Sequence, residues 1–155
     1  CEKRGAASQA LGRSRGGLST KIHLLAEADT GAPIRFVLSA GQSADCTQAL
    51  GLLGKTRPRA LIADRAYDTN EIRSTLRARR IGAVIPARVH RVRRFRLDKP
   101  LYRQRNTIER LIGRLKQFRR VATRYDKLAT RFGSFVALAA SMCWLSSDAQ
   151  FVHRS

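Results

Sequence analysis

The stretch Leu101–Arg120, LYRQRNTIERLIGRLKQFRR, decides how the rest of the chain is read. It holds no proline and one glycine, and its apolar residues recur at helical intervals, so one continuous helix over 101–120 is expected. At about 100° per residue, Leu101, Ile108, Leu111, Ile112, Leu115 and Phe118 gather into one broad apolar stripe. Tyr102, Arg105, Glu109 and Lys116 fall within roughly 60° of one another beside that stripe. A third sector carries Arg103, Arg110, Arg114 and Gln117. The stretch has one acid against six arginines and one lysine. A solvated face normally mixes its charges; this one repels itself in water unless an anion lies along it.

The same imbalance runs through the chain. Its 155 residues suit one domain, and an apolar content of 43% can support a core. Lysine and arginine number 31 against 11 acids, for a net charge of +20, and 25 of the 31 are arginine. Arginine forks onto phosphate in a way lysine does not. The excess is interleaved with apolar segments, which excludes a disordered basic tail and implies a nucleic-acid partner. No long amphipathic lysine-rich segment suggests a membrane surface, and the apolar run Phe135–Leu145 is too short to span a bilayer. Cys1, Cys46 and Cys143 lie far apart, so neither a zinc site nor a disulfide framework is expected. No secretory pattern opens the chain, and a reduced cytoplasmic protein is the default.

Residues 1–18, rich in Gly, Arg, Ser and Ala, read as a mobile basic N-terminal segment. Its GRSRGG run (Gly12–Gly17) has the wrong glycine spacing for a phosphate loop and no strand before it, but Arg13 and Arg15 are placed to meet DNA phosphates. Thr20–Ala26 and Ile34–Ser39 flank the turn signal Asp29-Thr30-Gly31, which predicts a β-hairpin. His23 lies on it without a second ligand nearby and reads as structural. Ser43 or Asp45 caps a short helix through Leu53. Ala60–Ala63 is wholly apolar, the pattern of a strand buried on both faces, and Asp64 follows at once. Asp68 or Thr69 caps a helix through Arg80, and Ala83–Ile85 is a second apolar strand, completing a right-handed parallel βαβ unit. Arg88–Arg96 is a basic connector whose Arg88 joins the candidate DNA contacts. A last helix, about Thr130–Leu145, is apolar on nearly all sides and should be buried, with Phe135 and Trp144 in the core.

So few acids invite the question of where each one sits. Glu2, Glu27, Asp29 and Asp148 fall in termini or turns; Asp45, Asp68 and Glu71 look like helix starts; Asp98 and Asp126 lie in connectors. Asp64, at the carboxyl end of a buried strand, and Glu109, on the boundary of the basic helix, remain. Carboxylates amid a phosphate-binding surface suit Mg²⁺, which activates water and stabilises the leaving oxygen in phosphodiester cleavage.

Three segments carry a family likeness. Asp64-Arg65-Ala66-Tyr67-Asp68 resembles the block around the second acid of bacterial insertion-sequence DDE transposases. Tyr102, Arg105, Glu109 and Lys116 match the Y-R-E-K signature around the third acid, and GRSRGGLSTKIHLLA, ending at Ala26, resembles the basic loop and hairpin. The resemblance implies an α/β fold, a ribonuclease H-like mixed sheet with flanking helices, as a single transposase catalytic domain over 1–155. It implies Asp64 and Glu109 as catalytic, metal-holding acids served by Mg²⁺, with Mn²⁺ as substitute. Arg105 and Lys116 would hold the phosphates of the transposon end and Tyr102 its strand, with Arg110 and Arg114 adding DNA contacts. The implied reaction frees a 3′-OH at the element's end and joins it to target DNA. The implied setting is the bacterial cytoplasm at the nucleoid, with a homo-oligomer formed by the full-length protein.

One departure qualifies the likeness. In this family the first acid lies on a first strand upstream of the GRSRGG-like loop, and the only acid ahead of Gly12 here is Glu2. The first strand and first Asp of the triad are therefore expected to be missing, leaving the C-terminal part of the domain. Such a chain, alone, is expected not to nick or join a transposon end; the alternative is a catalytically dead DNA-binding remnant. The hairpin and the parallel pair should then lack a shared strand, with apolar surface exposed, self-association, or direct pairing of the hairpin with the Asp64 strand.

Overall fold

The computed structural model describes residues 9–14, 17–92 and 95–152. The chain forms two compact units, one of residues 1–43 with 107–155 and one of residues 44–106.

In the first unit, β1 (Gly12–Ser14), β2 (Gly17–Ala26) and β3 (Pro33–Ala40) form an antiparallel sheet in the order β1-β2-β3. The predicted hairpin is present, paired from Thr20↔Ala40 to Ala26↔Pro33 with an irregularity at Leu25/Ala26. Its turn is tied by Gly31 N–H to Glu27 O (3.0 Å) and Glu27 N–H to Ala32 O (2.9 Å). Gly31 has φ +73°, where a side chain is strained, and a Cβ there would stand 2.8 Å from Thr107 Cγ2. The expectation of a mobile loop over Gly12–Gly17 is corrected in part, since Gly12–Ser14 pairs with Gly17–Ser19. Ladder bonds are made by the backbone, so a low β-propensity does not forbid them. Gly12 also admits a close approach: a Cβ there would fall 2.9 Å from that of Ala40.

Period-two alternation gives the hairpin one apolar face, where Ile22 pairs Leu38 and Leu24 pairs Phe36. Against it pack α4 (Asn106–Gln117), α5 (Arg119–Ala122) and α6 (Ala129–Val152), through Leu111, Leu115, Val121, Phe132, Val136, Ala139 and Cys143. Each of the large ones is worth about 1.5–3 kcal/mol against leaving it exposed. On the opposite face His23 is buried with its Nε2 2.6 Å from Ser39 Oγ, the structural role expected of it.

The continuous helix 101–120 is not formed. It is three segments, α3 (Lys99–Arg103), α4 and α5. Asp98 caps α3 by accepting Leu101 N–H at 3.0 Å. At its end Gln104 and Arg105 N–H turn to Leu101 and Tyr102 carbonyls three residues back, a tightened last turn that ends the helix. Phe118 breaks the second join with extended backbone, accepting Val121 and Ala122 N–H. In an unbroken helix Val121 would stand roughly 120° from Leu115; the break lets Phe118 and Val121 reach the same core. Ile112, assigned to the apolar stripe, is instead exposed.

The last helix runs longer than expected and is not buried all round. Phe132, Val136, Ala139, Ala140 and Cys143 face the core, while Leu138, Met142, Trp144 and Leu145 are exposed. Trp144, expected in the core, is 46% exposed, and Phe135 lies under the Arg120 guanidinium, 4.4 Å from its ring centroid. Uniform apolarity does not choose a face; only the stripe that meets the hairpin is covered. Among the described residues, no helix is long and apolar enough to cross a membrane.

The second unit holds the predicted βαβ arrangement. β4 (Ala60–Ile62) pairs in parallel with β5 (Gly82–Val84), and α2 (Asn70–Ala78) lies between them in sequence. α1 (Cys46–Leu53) and α2 close over this pair through Ala49, Leu53, Ile72 and Leu76, joined by Ile81 and Ile85. Residue Arg80, at φ +59°, ends α2, with Ile81 N–H bonding Leu76 O at 2.8 Å and Arg80 N–H bonding Arg77 O at 3.0 Å. That reversal aims the chain into β5. β4 is half-buried at every residue and not buried on both faces, a correction that follows from its having one strand neighbour among the described residues. Among the described residues the hairpin and the β4–β5 pair belong to separate sheets.

Candidate functional site

Asp64 stands immediately beyond β4 and opens a 3-10 turn over Arg65–Tyr67. Its backbone is extended and its Oδ1 accepts Ala66 N–H at 2.8 Å, the bond that starts the turn. That bond leaves Oδ2 unused on a half-exposed side chain. Burial, reinforced by the Asp45 and Asp64 carboxylates, pushes the neighbouring Tyr67 phenol up to about 12.

Asp68, four residues on, does something the sequence did not reveal. Thr69 caps α2 by accepting Ile72 N–H at 3.2 Å, so of the two candidate caps Asp68 is not the one used. Its side chain is fully buried and receives three donors: Arg73 Nε on Oδ1 at 2.6 Å, with Arg91 Nε and Arg88 N–H on Oδ2, each at 2.7 Å. Arg73 also donates to Ile85 O at 2.7 Å, and Arg91 to Asn70 Oδ1 at 2.8 Å. The Phe95 ring covers both guanidiniums, 4.2 Å from Arg73 and 5.6 Å from Arg91. The signal available was weak: an acid before a helix reads equally well as a cap.

Burial raises the Asp68 carboxyl pKa, and the hydrogen bonds from Arg73, Arg88 and Arg91 more than offset it, holding it below the ordinary value of 3.8. A depressed folded-state pKa adds stability that is present above the unfolded value and lost as pH falls through the folded one. Thermal melts taken below about pH 4 should therefore show an acid-induced loss that is smaller in Asp68→Asn. Equal losses in the two proteins would rule this linkage out.

The remaining candidates divide between the units. Arg88, expected on DNA, donates its Nη2 to Ala66 O at 2.8 Å and so folds back on the turn that follows Asp64. Arg65 and Arg88 flank a cavity of about 260 Å³ walled by Pro86, Val89, Phe95 and Leu97. Tyr102 and Arg105 come together, the guanidinium 5.8 Å from the ring centroid. In the other unit Glu109 is exposed in the first turn of α4, where the helix dipole favours a carboxylate. Lys116, seven residues on, faces within about 20° of Glu109, and Arg110 is exposed on another side of the same helix. Arg114 is half-buried near the hairpin turn, 3.6 Å from where a Gly31 Cβ would lie. Arg13 belongs to β1 by its backbone, its side chain lying outside the described ones; Arg15 lies outside the described residues altogether.

Carboxylate oxygens are the donors a hard divalent cation takes. Asp64 fits that requirement, with one oxygen engaged by a single amide. Asp68 does not fit, since both of its oxygens are taken by arginine side chains or an amide. Among the described residues no three His, Cys, Asp or Glu side chains gather into a metal-holding group.

Comparison with known proteins gives three findings. Residues 2–144 match the family described as the transposase DDE domain. The chain is 37% identical over 131 residues to a transposase for insertion sequence element IS6501 from Brucella ovis, covering 83% of this chain and 99% of that protein. It is 33% identical over 138 residues to a transposase for insertion sequence element IS402 from Burkholderia cepacia, covering 81% of this chain and 63% of that protein. No solved structure matches the chain.

Proposed function

The chain belongs to the DDE transposase family, and on that premise we propose that it serves DNA transposition as a metal-dependent polynucleotidyl transferase domain, with Asp64 and Glu109 as two of its metal-holding acids. The observation that carries this reading is the Asp64 carboxylate, half-exposed past the end of β4 with one oxygen engaged. A strand's carboxyl end is where open α/β sheets place ligands. The antiparallel meander followed by the parallel β4–α2–β5 unit supports a ribonuclease H-like arrangement.

When bound, Mg²⁺ or Mn²⁺ supplies an activated water and charge stabilisation at the leaving oxygen. Asp64 and Glu109 would each supply a carboxylate oxygen to such a cation. Arg105 and Lys116 grip the phosphates of the transposon end, and Tyr102, beside Arg105, positions the strand. Hydrolysis leaves a 3′-OH on the element, and that oxygen then attacks a target phosphorus, displacing the target's own 3′ oxygen.

A titration with Mn²⁺, followed by electron paramagnetic resonance of the free ion, tests the assignment. Asp64→Asn and Glu109→Gln should each weaken binding by tenfold or more, and unchanged affinity in both would remove the metal site from these residues. A second reading, a DNA-binding remnant without catalysis, draws on the lack of a three-acid group among the described residues. It predicts DNA binding with no Mn²⁺ affinity that depends on Asp64.

A further inference from the structure

We propose that Asp68 is a positioning residue for Asp64: with Arg73, Arg88 and Arg91 it sets the turn that presents the Asp64 carboxylate to a divalent cation. The proposal rests on the reading of Asp64 as a metal ligand and extends it to residues that never touch the cation.

α2 already has its cap in Thr69, and the unit has an apolar core of its own in Leu53, Ile72, Leu76, Ile81 and Ile85. A buried carboxylate between two guanidiniums is costly to desolvate, and apolar residues often replace such clusters without loss of stability. What the cluster does in return is geometric. It ties the segment 64–70 to the segment 85–91 at four points besides the Arg91–Asp68 ion pair. Arg88 N–H reaches Asp68 Oδ2 (2.7 Å), Arg88 Nη2 reaches Ala66 O (2.8 Å), Arg91 Nη1 reaches Asn70 Oδ1 (2.8 Å) and Arg91 Nη2 reaches Asp68 O (3.4 Å).

Ala66 is the joint. Its carbonyl is held by Arg88, and its N–H is the donor that orients Asp64 Oδ1. The turn itself closes with Tyr67 N–H on Asp64 O and Asp68 N–H on Arg65 O, each at 3.2 Å. A shift of Asp68 therefore moves the backbone that aims Asp64, and Arg88 carries the constraint to the same residue, Ala66, from outside. Groups that orient a metal ligand in this way typically change metal affinity roughly 10–100-fold when removed.

The test uses the 155-residue chain, Mn²⁺ as the probe, and hydrogen exchange of the Ala66 amide as a second readout, on proteins shown to be folded by circular dichroism. Asp64→Asn is the reference that removes the site. Asp68→Asn is expected to weaken Mn²⁺ binding by roughly 10–100-fold and to speed Ala66 exchange. Arg88→Ala keeps the question decidable should Asp68→Asn fail to fold, because Arg88 is exposed. It also separates geometry from charge. Removing a cation near the site raises metal affinity by Coulomb's law alone, so weaker binding in Arg88→Ala reports a misplaced Asp64. Arg88→Lys, whose ammonium can still donate to Ala66 O, should restore most of the affinity. If Asp64→Asn loses the site while folded Asp68→Asn or Arg88→Ala binds Mn²⁺ as the parent does, the positioning role is overturned. If Asp64→Asn itself leaves Mn²⁺ affinity unchanged, the metal-ligand reading fails first and takes this proposal with it.

Discussion

Asp68→Ala is expected to lower stability by roughly 3–5 kcal/mol, the range for breaking a buried ion pair from one side. The side chains of Arg73 and Arg91 are only 10% and 16% exposed, and each loses its carboxylate partner. The Arg88 amide loses its acceptor as well. At about 2–4 °C per kcal/mol for a protein of this size, the melting temperature should fall by on the order of 6–20 °C. Asp98→Ala is the control: it removes an exposed acid that caps a helix, and should cost only about 1 kcal/mol. If the two substitutions cost the same, the Asp68 cluster is not the buried network its distances describe.

The other large effect is the response of DNA binding to salt. For a chain of net charge +20, with Arg110 and Lys116 exposed on α4, duplex affinity should come mainly from counterions released by phosphate contacts. With about 6–10 contacts, affinity should drop by roughly 10³–10⁵ between about 50 and 200 mM salt. Lys116→Ala or Arg105→Ala should each flatten the slope of log affinity against log salt by about one contact, similarly for any duplex sequence. Arg114→Ala is expected to change it less, since its guanidinium lies at the hairpin turn. Fluorescence anisotropy over a salt series measures all of these, and an affinity indifferent to salt would defeat the account.

Some features of this protein depend only on neighbours along the chain. Asp29-Thr30-Gly31 before the alternating run Ile34–Ser39 specified a hairpin, because a turn needing positive φ and a period of two are both local. Apolar runs on either side of a capped helix specified β4, α2 and β5, and so put Asp64 at a strand's end. The charge, and the Y-R-E-K spacing with its family, needed no tertiary information. Tertiary structure alone decided which side of α6 is covered, since a helix apolar all round carries no preference until the hairpin occupies one stripe. It split 101–120 where Phe118 and Val121 gain a shared core that a straight helix would deny one of them. And it decided between two adjacent cap residues, Asp68 and Thr69. Both can cap a helix, but only the fold brings Arg88 and Arg91, some twenty residues later in the chain, against the first and leaves the second to the helix.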